Sequence, residues 1–327
     1  MNVGIVGTGG MGNVHARHYG SMPHVHLFAW DRDADKLGAF CKHHSATPAN
    51  SYEDLLNKVS LVDICLPSHL HCEFALDAIR SKTPCLVEKP MGRTLEECRQ
   101  MVAVAESEGV PLGVGHVVRF FPEHSMAHQL VKEGKVGKPS SVRLRRGGLA
   151  PLGSDAWFRD SSKSGGVILD LAIHDFDWLR WTLGECTQVF ARSVRLGAAV
   201  EDATFEGDYA LCTLSFESGA VAHVESTWMD PAGFRTTLEV AGSDGLIEFD
   251  SRKTPAVRVQ ADNKQRNESN MHRLDDPYYR QLSAVVSAVV CGQPMPVSGK
   301  DGLAAVSIAL AAIESAKTGR PIKPEVA

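Results

Sequence analysis

The chain has 327 residues, of which 43% are hydrophobic and 22% are charged, and its formal net charge at pH 7 is -5. This length exceeds that of one typical core and predicts two domains, while the negative charge argues against nucleic acid or an anionic membrane as partner, because both recruit basic patches. No apolar run approaches the roughly 20 residues that span a bilayer, so no membrane partner is expected.

The first third of the sequence alternates short apolar strands with amphipathic helices. Predicted strands cover residues 3–6, 25–30, 61–65, 85–87 and 112–117, and predicted helices cover 11–19, 34–43, 51–57, 71–81 and 95–108. Alternation at this spacing is typical of βαβ units with right-handed crossovers. Residues 1–120 are therefore predicted to form an α/β Rossmann domain with a doubly wound parallel sheet.

A glycine-rich turn follows the first predicted strand. In Gly7-x-Gly9-x-x-Gly12, the first glycine allows the tight turn, the second lets a pyrophosphate approach the backbone, and the third lets the helix pack close to the sheet. The helix that begins at Met11 would offer unpaired N–H groups and its positive dipole end to phosphates. The turn, which includes Gly10, is therefore predicted to bind a dinucleotide.

An acidic residue, Asp31, ends the second predicted strand, nineteen residues after Gly12. A carboxylate there accepts hydrogen bonds from the hydroxyls of the adenosine ribose and repels a 2′-phosphate, which favours NAD over NADP. The adjacent Arg32 leaves NADP open, because a guanidinium in this loop can bind a 2′-phosphate or stack on adenine. The alternative for Asp31 is a solvated turn residue.

After residue 120 the pattern changes to strands with few helices. A predicted helix at 123–132 precedes strands at 141–146, 189–194, 209–216, 221–227, 236–241 and 246–249, with a long helix at about 166–183 and helices at 278–290 and 302–317. Ser218-Gly219 and Ser243-Asp244-Gly245 are typical of hairpins. Residues 121–327 are predicted to form an α+β domain for substrate binding and oligomerisation, with a large open, mostly antiparallel sheet. The polar stretch 261–269 is predicted to be a loop.

The second domain also bears on assembly. An open sheet needs cover on both faces, which predicts a homodimer or homotetramer through the C-terminal sheet. The eight cysteines form no CxxC pair, the fourteen histidines form no HExxH motif, and the N-terminus begins as a strand rather than as a signal peptide. These features predict a reduced, cytoplasmic protein that holds no metal.

Two motifs carry candidate chemistry. Glu88-Lys89-Pro90 follows the strand at 85–87 and puts an amine near the expected position of a nicotinamide ring. Asp170 and His174 are four residues apart on a predicted helix, so both project from one face. The imidazole can accept the proton of a substrate hydroxyl, and the lysine can stabilise negative charge on that oxygen, as oxidation of a secondary alcohol requires.

Further motifs extend along nearly the whole chain. They are Gly7–Gly12 with His15, Pro67-x-x-x-His71, Glu88-Lys89-Pro90, Arg119-Phe120, Trp157 with Asp160, Gly165-Gly166 followed by Asp170, His174 and Asp177, and the closing segment 298–320. In this combination the sequence resembles the Gfo/Idh/MocA oxidoreductases, the superfamily of glucose–fructose oxidoreductase and inositol dehydrogenase. The resemblance implies an NAD(P)-dependent enzyme that transfers a hydride between a cyclic polyol or sugar and nicotinamide C4.

The resemblance also implies roles for individual residues. Lys89, Asp170 and His174 match the family's catalytic group, with either His174 or Lys89 as the proton acceptor, and the Lys89–Pro90 peptide is expected to be cis. The substrate is expected to contact this group together with Arg119 and Trp157.

Five further assignments follow from the same motifs. Pro67, His71 and Glu88 are expected beside the nicotinamide half of the cofactor, although His71 is alternatively a neighbour of a helix cap. Arg119 is a candidate for pairing between domains as well as for substrate binding. His15 either contacts pyrophosphate or only belongs to the first helix.

Two alternatives for the function stay open at the level of sequence. One is an enzyme that never releases its cofactor, acting as a sugar oxidoreductase or as a redox-assisted glycosidase. The other is a non-catalytic regulator that senses NAD, against which the intact Lys89, Asp170 and His174 argue.

Overall fold

The structure, a computed structural model, describes residues 1–149, 161–194, 208–253, 257–261, 264–268 and 276–325. The chain forms two compact units, one made of Met1–Val117 with Asp275–Leu303 and the other of Val118–Leu274 with Ala304–Ala327. The predicted division into 1–120 and 121–327 places the break close to the observed one. It misses the return of residues 275–303 to the first unit.

The strands and helices follow the chain in this order. The strands are β1 (Asn2–Val6), β2 (His26–Trp30), β3 (Thr47–Pro48), β4 (Leu61–Ile64), β5 (Cys85–Val87), β6 (Leu112–Val114), β7 (Pro139–Gly147), β8 (Cys186–Val194), β9 (Tyr209–Phe216), β10 (Val221–Thr227), β11 (Arg235–Gly242), β12 (Gly245–Asp250), β13 (Val257–Ala261) and β14 (Lys264–Glu268). The helices are α1 (Gly10–Gly20), α2 (Ala34–His44), α3 (Tyr52–Leu56), α4 (His71–Arg80), α5 (Leu95–Glu108), α6 (Pro122–Lys132), α7 (Ser161–Ser164), α8 (Ile173–Leu183), α9 (Pro277–Cys291) and α10 (Gly299–Thr318).

The sheet of the first unit is parallel, as the strand–helix alternation predicts. Within the described residues its order is β3-β2-β1-β4-β5-β6, and each neighbouring pair is parallel. The order reverses between β1 and β4, and ligands of doubly wound sheets bind beyond the carboxyl ends of the strands at such a switch point. The glycine-rich turn after β1 and the Glu88-Lys89-Pro90 segment after β5 both lie at that edge.

Helix starts in this unit are set by local side chains. The Asp33 carboxylate accepts the N–H groups of Asp35 and Lys36 and caps α2. Thr94 and Glu97 form a reciprocal capping box at the start of α5. These caps satisfy N–H groups that would otherwise lack a partner at each helix start.

Helix α9 belongs to the first unit because of its apolar face. Leu282 and Val285, three residues apart, are almost completely buried in the same core as Val3, Ile5 and Tyr19. Burying these two α9 side chains contributes roughly 3–6 kcal/mol. That apolar face explains why a segment so distant in sequence returns to the N-terminal unit.

The sheet of the second unit is mixed, with mostly antiparallel pairs. Its order in the described residues is β14-β13-β12-β11-β7-β10-β9-β8. The predicted hairpins β9–β10 and β11–β12 are confirmed as antiparallel pairs, but β7 lies between β10 and β11 and runs parallel to β10. The predicted loop at 261–269 is wrong where the structure describes it, since Lys264–Glu268 forms β14 and pairs with β13. Backbone bonds make that pairing, and polar side chains do not prevent them.

The two faces of this sheet differ in polarity. Along β7, Val142 and Leu144 are buried, whereas Arg143 and Arg145 alternate with them and pair across strands with Glu239 and Glu225. Such alternation is typical of a sheet that covers a core on one side only.

All eight cysteines lie in described residues and carry free thiols. In the part of the chain that the structure describes, no helix has both the length and the hydropathy needed to cross a membrane.

One buried histidine, His124, makes the stability of this fold depend on pH. His124, on α6, is packed against the rings of Trp178 and Phe249, and neither of its ring nitrogens has a hydrogen-bond partner among the described residues. Burial, with a smaller effect of the Arg146 charge, lowers the pKa of His124 to about 3. The side chain is therefore neutral in the folded protein at every moderately acid pH.

We expect His124→Phe to weaken the loss of stability in acid. Below about pH 6.5, His124 binds a proton in the unfolded chain but stays neutral in the folded chain. The free energy of unfolding therefore falls by up to about 1.4 kcal/mol per pH unit as the pH is lowered towards about 3. Urea unfolding at several pH values between about 6.5 and 4 should show a shallower pH slope for the variant, by up to one proton. An unchanged slope would contradict the burial of a neutral His124.

Candidate active site

The glycine-rich turn after β1 fits a pyrophosphate. Gly7 has a φ of 90°, and a Cβ on Gly12 would lie 2.1 Å from the Gly7 carbonyl oxygen, so neither position tolerates a side chain. A Cβ on Gly9 or Gly10 would meet no atom within 4 Å, which leaves open space over the turn. Helix α1 starts here without a side-chain cap, so its first N–H groups can bind an anion. Met11 follows in the first turn of the helix.

A residue outside the glycine pattern holds this turn in place. The Asn13 Nδ2 donates to the carbonyl oxygens of Thr8 and Gly9, at 2.9 Å each, and His44 Nε2 lies 2.8 Å from Asn13 Oδ1. Sequence reasoning missed Asn13, because an asparagine in a helix carries no signal until its backbone partners are known.

The carboxylate of Asp31 is fixed at the end of β2. Its Oδ2 accepts hydrogen bonds from the backbone N–H and the hydroxyl of Thr8, each at 2.8 Å, and its Oδ1 accepts the Asp33 N–H at 3.0 Å. These bonds tie Asp31 to the glycine-rich turn, and the half-buried carboxylate retains acceptor capacity for ribose hydroxyls. The neighbouring Arg32 is exposed. These contacts fit a carboxylate that binds the adenosine ribose better than they fit a solvated turn residue.

The segment after β5 is held from two sides. The Lys89–Pro90 peptide is cis, and the Glu88 carboxylate accepts the Lys89 backbone N–H at 3.0 Å. The ring nitrogens of His71 lie 2.8 Å from the carbonyl oxygens of Leu66 and Pro90. Lys89 is half-buried at the carboxyl end of β5, in the nicotinamide half expected for this topology.

His71 thus joins the turn that holds Pro67 to the segment that holds Lys89. It is almost completely buried, and burial lowers its pKa. Both of its ring nitrogens contact backbone carbonyls, so its contacts are those of a support for the two loops.

In the second unit, Asp170 and His174 lie on either side of a change in helix type. Residues Ile168–Ala172 form a π-helical turn, and α8 continues from Ile173. The predicted uninterrupted helix at 166–183 is corrected in this respect. Single π-helical turns of this kind occur frequently at functional sites. Asp170 is buried and His174 is half-buried.

Two buried ion pairs anchor α8. Asp175 pairs with Arg146 of β7 at 2.7 Å, and Asp177 accepts two hydrogen bonds from Arg119, at 2.6 and 2.8 Å. Removing one partner of such a pair leaves a buried charge and costs about 3–5 kcal/mol. The pairs therefore fix the helix that holds His174.

Of the two further residues predicted to contact substrate, the structure describes Arg119 but not Trp157. The structure pairs Arg119 within its own unit, with Asp177, and its guanidinium also lies over the Trp181 ring at 5.3 Å. Asp177 and Arg119 were not predicted as a pair, because 58 residues separate them. Trp157 and its neighbour Asp160 lie outside the described residues.

Comparisons with known proteins extend over nearly the whole chain. Residues 1–116 match a family model described as an oxidoreductase family with an NAD-binding Rossmann fold, and residues 124–248 match the GFO/IDH/MocA C-terminal domain. The chain is 30% identical to the uncharacterized oxidoreductase YrbE of Bacillus subtilis strain 168, over 98% of this chain and 96% of that protein. It is 28% identical to myo-inositol 2-dehydrogenase of Thermotoga maritima, over 99% of both chains.

A solved structure resembles the whole chain as well. GenD2 from gentamicin A biosynthesis, crystallised in complex with NAD, is 28% identical and has a TM-score of 0.87, with 99% of this chain and 96% of that chain covered.

Proposed function

The chain belongs to the Gfo/Idh/MocA oxidoreductase family, and from that premise we propose that it is an NAD-dependent dehydrogenase of a cyclic polyol or sugar. The observation that carries the proposal is the position of Lys89, whose backbone N–H donates to Glu88, at the carboxyl end of β5 in the nicotinamide half of a Rossmann sheet. The relative named as a myo-inositol dehydrogenase supports a polyol as substrate class.

The proposal assigns three catalytic roles. Lys89 donates a hydrogen bond to the reacting oxygen and stabilises the charge that develops on it. His174 accepts the hydroxyl proton as the C–H bond breaks and a carbonyl forms, with Lys89 as the alternative acceptor. Asp170 binds a neighbouring substrate hydroxyl. When bound, oxidised nicotinamide supplies the hydride acceptor.

Cofactor contacts are proposed for the residues at the carboxyl edge of the first sheet. The N–H groups of the turn from Gly9 to Gly12 bind the pyrophosphate, and Asp31 accepts the ribose hydroxyls. Pro67 and Glu88 line the nicotinamide half. His71 supports that half through the Leu66 and Pro90 carbonyls rather than through a ligand contact of its ring nitrogens. Arg119 is proposed as an anchor of α8 and stays a candidate for substrate binding.

A panel of inositols, aldoses and amino sugars tests the substrate class. Each compound is incubated with the enzyme and NAD or NADP, and the absorbance of reduced nicotinamide is followed. The proposal expects reduction of NAD with one class of cyclic polyol or sugar. A silent panel from protein that binds NAD would overturn it and favour a trapped-cofactor enzyme or an NAD sensor, which absorbance of the purified protein would distinguish.

The second sheet supports a proposal about assembly. Its outer face carries Arg143, Arg145, Glu225 and Glu239, and we propose that a second copy of the chain covers it to give a homodimer or homotetramer. Multi-angle light scattering should give a mass at least twice the 35.4 kDa of one chain. A monomeric mass at micromolar concentration would contradict this. The cytoplasmic location stays a prediction.

A further inference from the structure

A cluster of ionisable side chains lies inside the first unit, beneath the carboxyl edge of its sheet. It contains His15 of α1, Asp63 of β4, Cys65 directly after β4, and Glu88 directly after β5. All four are buried, with His15 and Asp63 completely inaccessible. His15 therefore does not contact pyrophosphate, which was one of its two predicted assignments.

His15 lies between two carboxylates. Its Nδ1 is 2.8 Å from Asp63 Oδ2, and its Nε2 is 3.4 Å from Glu88 Oε1, close enough for an ion pair. The Cys65 sulfur lies 3.4 Å from the same Nδ1, and the Tyr278 ring is 6.0 Å from the imidazole. The two imidazole nitrogens therefore lie near different carboxylates, at hydrogen-bond distance from Asp63 and at a longer ion-pair distance from Glu88.

Opposite charges in this cluster shift the pKa values of His15 and Glu88 towards their ionised forms. Burial lowers the pKa of His15, but its contacts with Asp63 and Cys65 together outweigh burial and hold the pKa well above 6.5. Burial raises the pKa of Glu88, but the contacts with His15 and Lys89 outweigh it, so that pKa lies below its ordinary value. Both shifts favour a protonated His15 beside an ionised Glu88.

The Glu88 carboxylate is confined on its other sides. Its Oε2 accepts the backbone N–H of Lys89 at 3.0 Å. A Cβ at position 115 would lie 2.6 Å from Glu88 Oε1, so Gly115 leaves only the space that the carboxylate fills. One carboxylate oxygen therefore faces His15, and the other faces the residue proposed to act on the substrate.

We propose that His15 is a positioning residue for Lys89, acting through the Glu88 carboxylate that it holds against the Lys89 backbone. This inference rests on the proposed function, because it assumes that Lys89 acts on the reacting oxygen. A histidine on the dinucleotide-binding helix would then set the geometry of a loop on a different strand. The rival explanation is an ion cluster that stabilises the core and has no effect on catalysis.

Two substitutions separate the two contacts of the imidazole. The amide nitrogen of asparagine can occupy the place of Nδ1, so His15→Asn keeps a donor to Asp63 and loses the donor to Glu88. The amide nitrogen of glutamine can occupy the place of Nε2, so His15→Gln keeps the donor to Glu88 and loses the other. Both variants lose the imidazolium charge, so each is the matched control of the other.

We expect the variants to differ in kcat. His15→Asn should lower kcat between about 10- and 100-fold, with the Kd of NAD within about threefold of wild type, because a displaced lysine slows the reaction without weakening pyrophosphate binding. His15→Gln should lower kcat at least about threefold less than His15→Asn does, because it keeps the donor to Glu88. Equal losses of kcat in the two variants, or wild-type kcat in both, would overturn the proposal.

A measurement that does not depend on turnover accompanies the kinetics. In ¹⁵N spectra near neutral pH, wild-type His15 should show both ring nitrogens protonated, and Glu88→Gln should change the Nε2 signal more than the Nδ1 signal. A neutral His15, or spectra insensitive to Glu88→Gln, would overturn the proposal even if the His15 variants failed to fold. Full activity of Lys89→Met would instead contradict the proposed function, whereas an inactive Lys89→Met beside a fully active His15→Asn would contradict this inference alone.

Discussion

Replacing Lys89 with methionine is expected to lower kcat by about 10²- to 10³-fold while the Kd of NAD stays within about threefold of wild type. Methionine keeps much of the length of the lysine side chain but cannot donate to the reacting oxygen. The backbone N–H of residue 89 still bonds to Glu88, so the loop itself should persist. Steady-state kinetics with the best substrate of the panel and fluorescence titration of the cofactor measure the two quantities.

A lysine away from the site provides the control. Lys58 belongs to the same unit and pairs with Asp54 at 2.7 Å on the surface. Lys58→Met should leave kcat within experimental error of wild type, because a surface ion pair contributes little. Turnover that survives in Lys89→Met would contradict the proposed mechanism.

The same assay distinguishes the two candidates for the proton acceptor. If His174 accepts the proton, His174→Asn should remove the fall of kcat/KM in acid solution, since that fall reports protonation of the base. If Lys89 accepts it, the fall should persist in His174→Asn.

The second large effect is expected at Asp31. Asp31→Ser should shift the preference for NAD over NADP, measured as the ratio of kcat/KM values, by roughly 10- to 100-fold towards NADP. The carboxylate can accept hydrogen bonds from ribose hydroxyls and repels a 2′-phosphate, and serine removes the charge. Exposed Arg32 then becomes available to a 2′-phosphate.

Asp35 offers the matched control, because it is exposed and lies in the first turn of α2, close to Asp31 in sequence. Asp35→Ser removes the same charge from the neighbourhood without removing the acceptor at the end of β2. A cofactor ratio that moves equally in both variants would mean a general charge effect. An unaltered ratio in Asp31→Ser would mean that Asp31 does not contact the ribose.

Features with a local cause could be predicted from the sequence. The glycine-rich turn, the acid after β2 and the lysine after β5 each follow a short apolar strand, and the period of βαβ units fixes all three at one edge of the sheet. The hairpins β9–β10 and β11–β12 were likewise visible in their turn residues.

Features that depend on partners distant in the sequence could not be predicted in this way. The insertion of β7 between β10 and β11 pairs segments that no turn connects, and α9 returns to the first core through an apolar face buried in the same cluster as Val3 and Ile5 of β1. Arg119 pairs with the carboxylate of Asp177, which lies 58 residues further along the chain. The same holds for His15, whose motif position suggested a phosphate and whose partners are Asp63 and Glu88.

The π-helical turn at Ile168–Ala172 is a different kind of omission. Spacing of four residues predicts a shared face for Asp170 and His174 in either helix type, so the spacing alone does not reveal a π-helical turn. Only the backbone distinguishes the two.

Transfer of deuterium from substrate to cofactor tests the central claim most directly. The best substrate of the panel, deuterated at the carbon that bears the reacting hydroxyl, is incubated with NAD and wild-type enzyme or Lys89→Met, and the reduced cofactor is analysed by mass spectrometry. The account predicts one deuterium in the reduced nicotinamide from wild type, with formation slowed at least about 10²-fold in the variant. Reduced cofactor without deuterium, or formed at the same rate without Lys89, would contradict it.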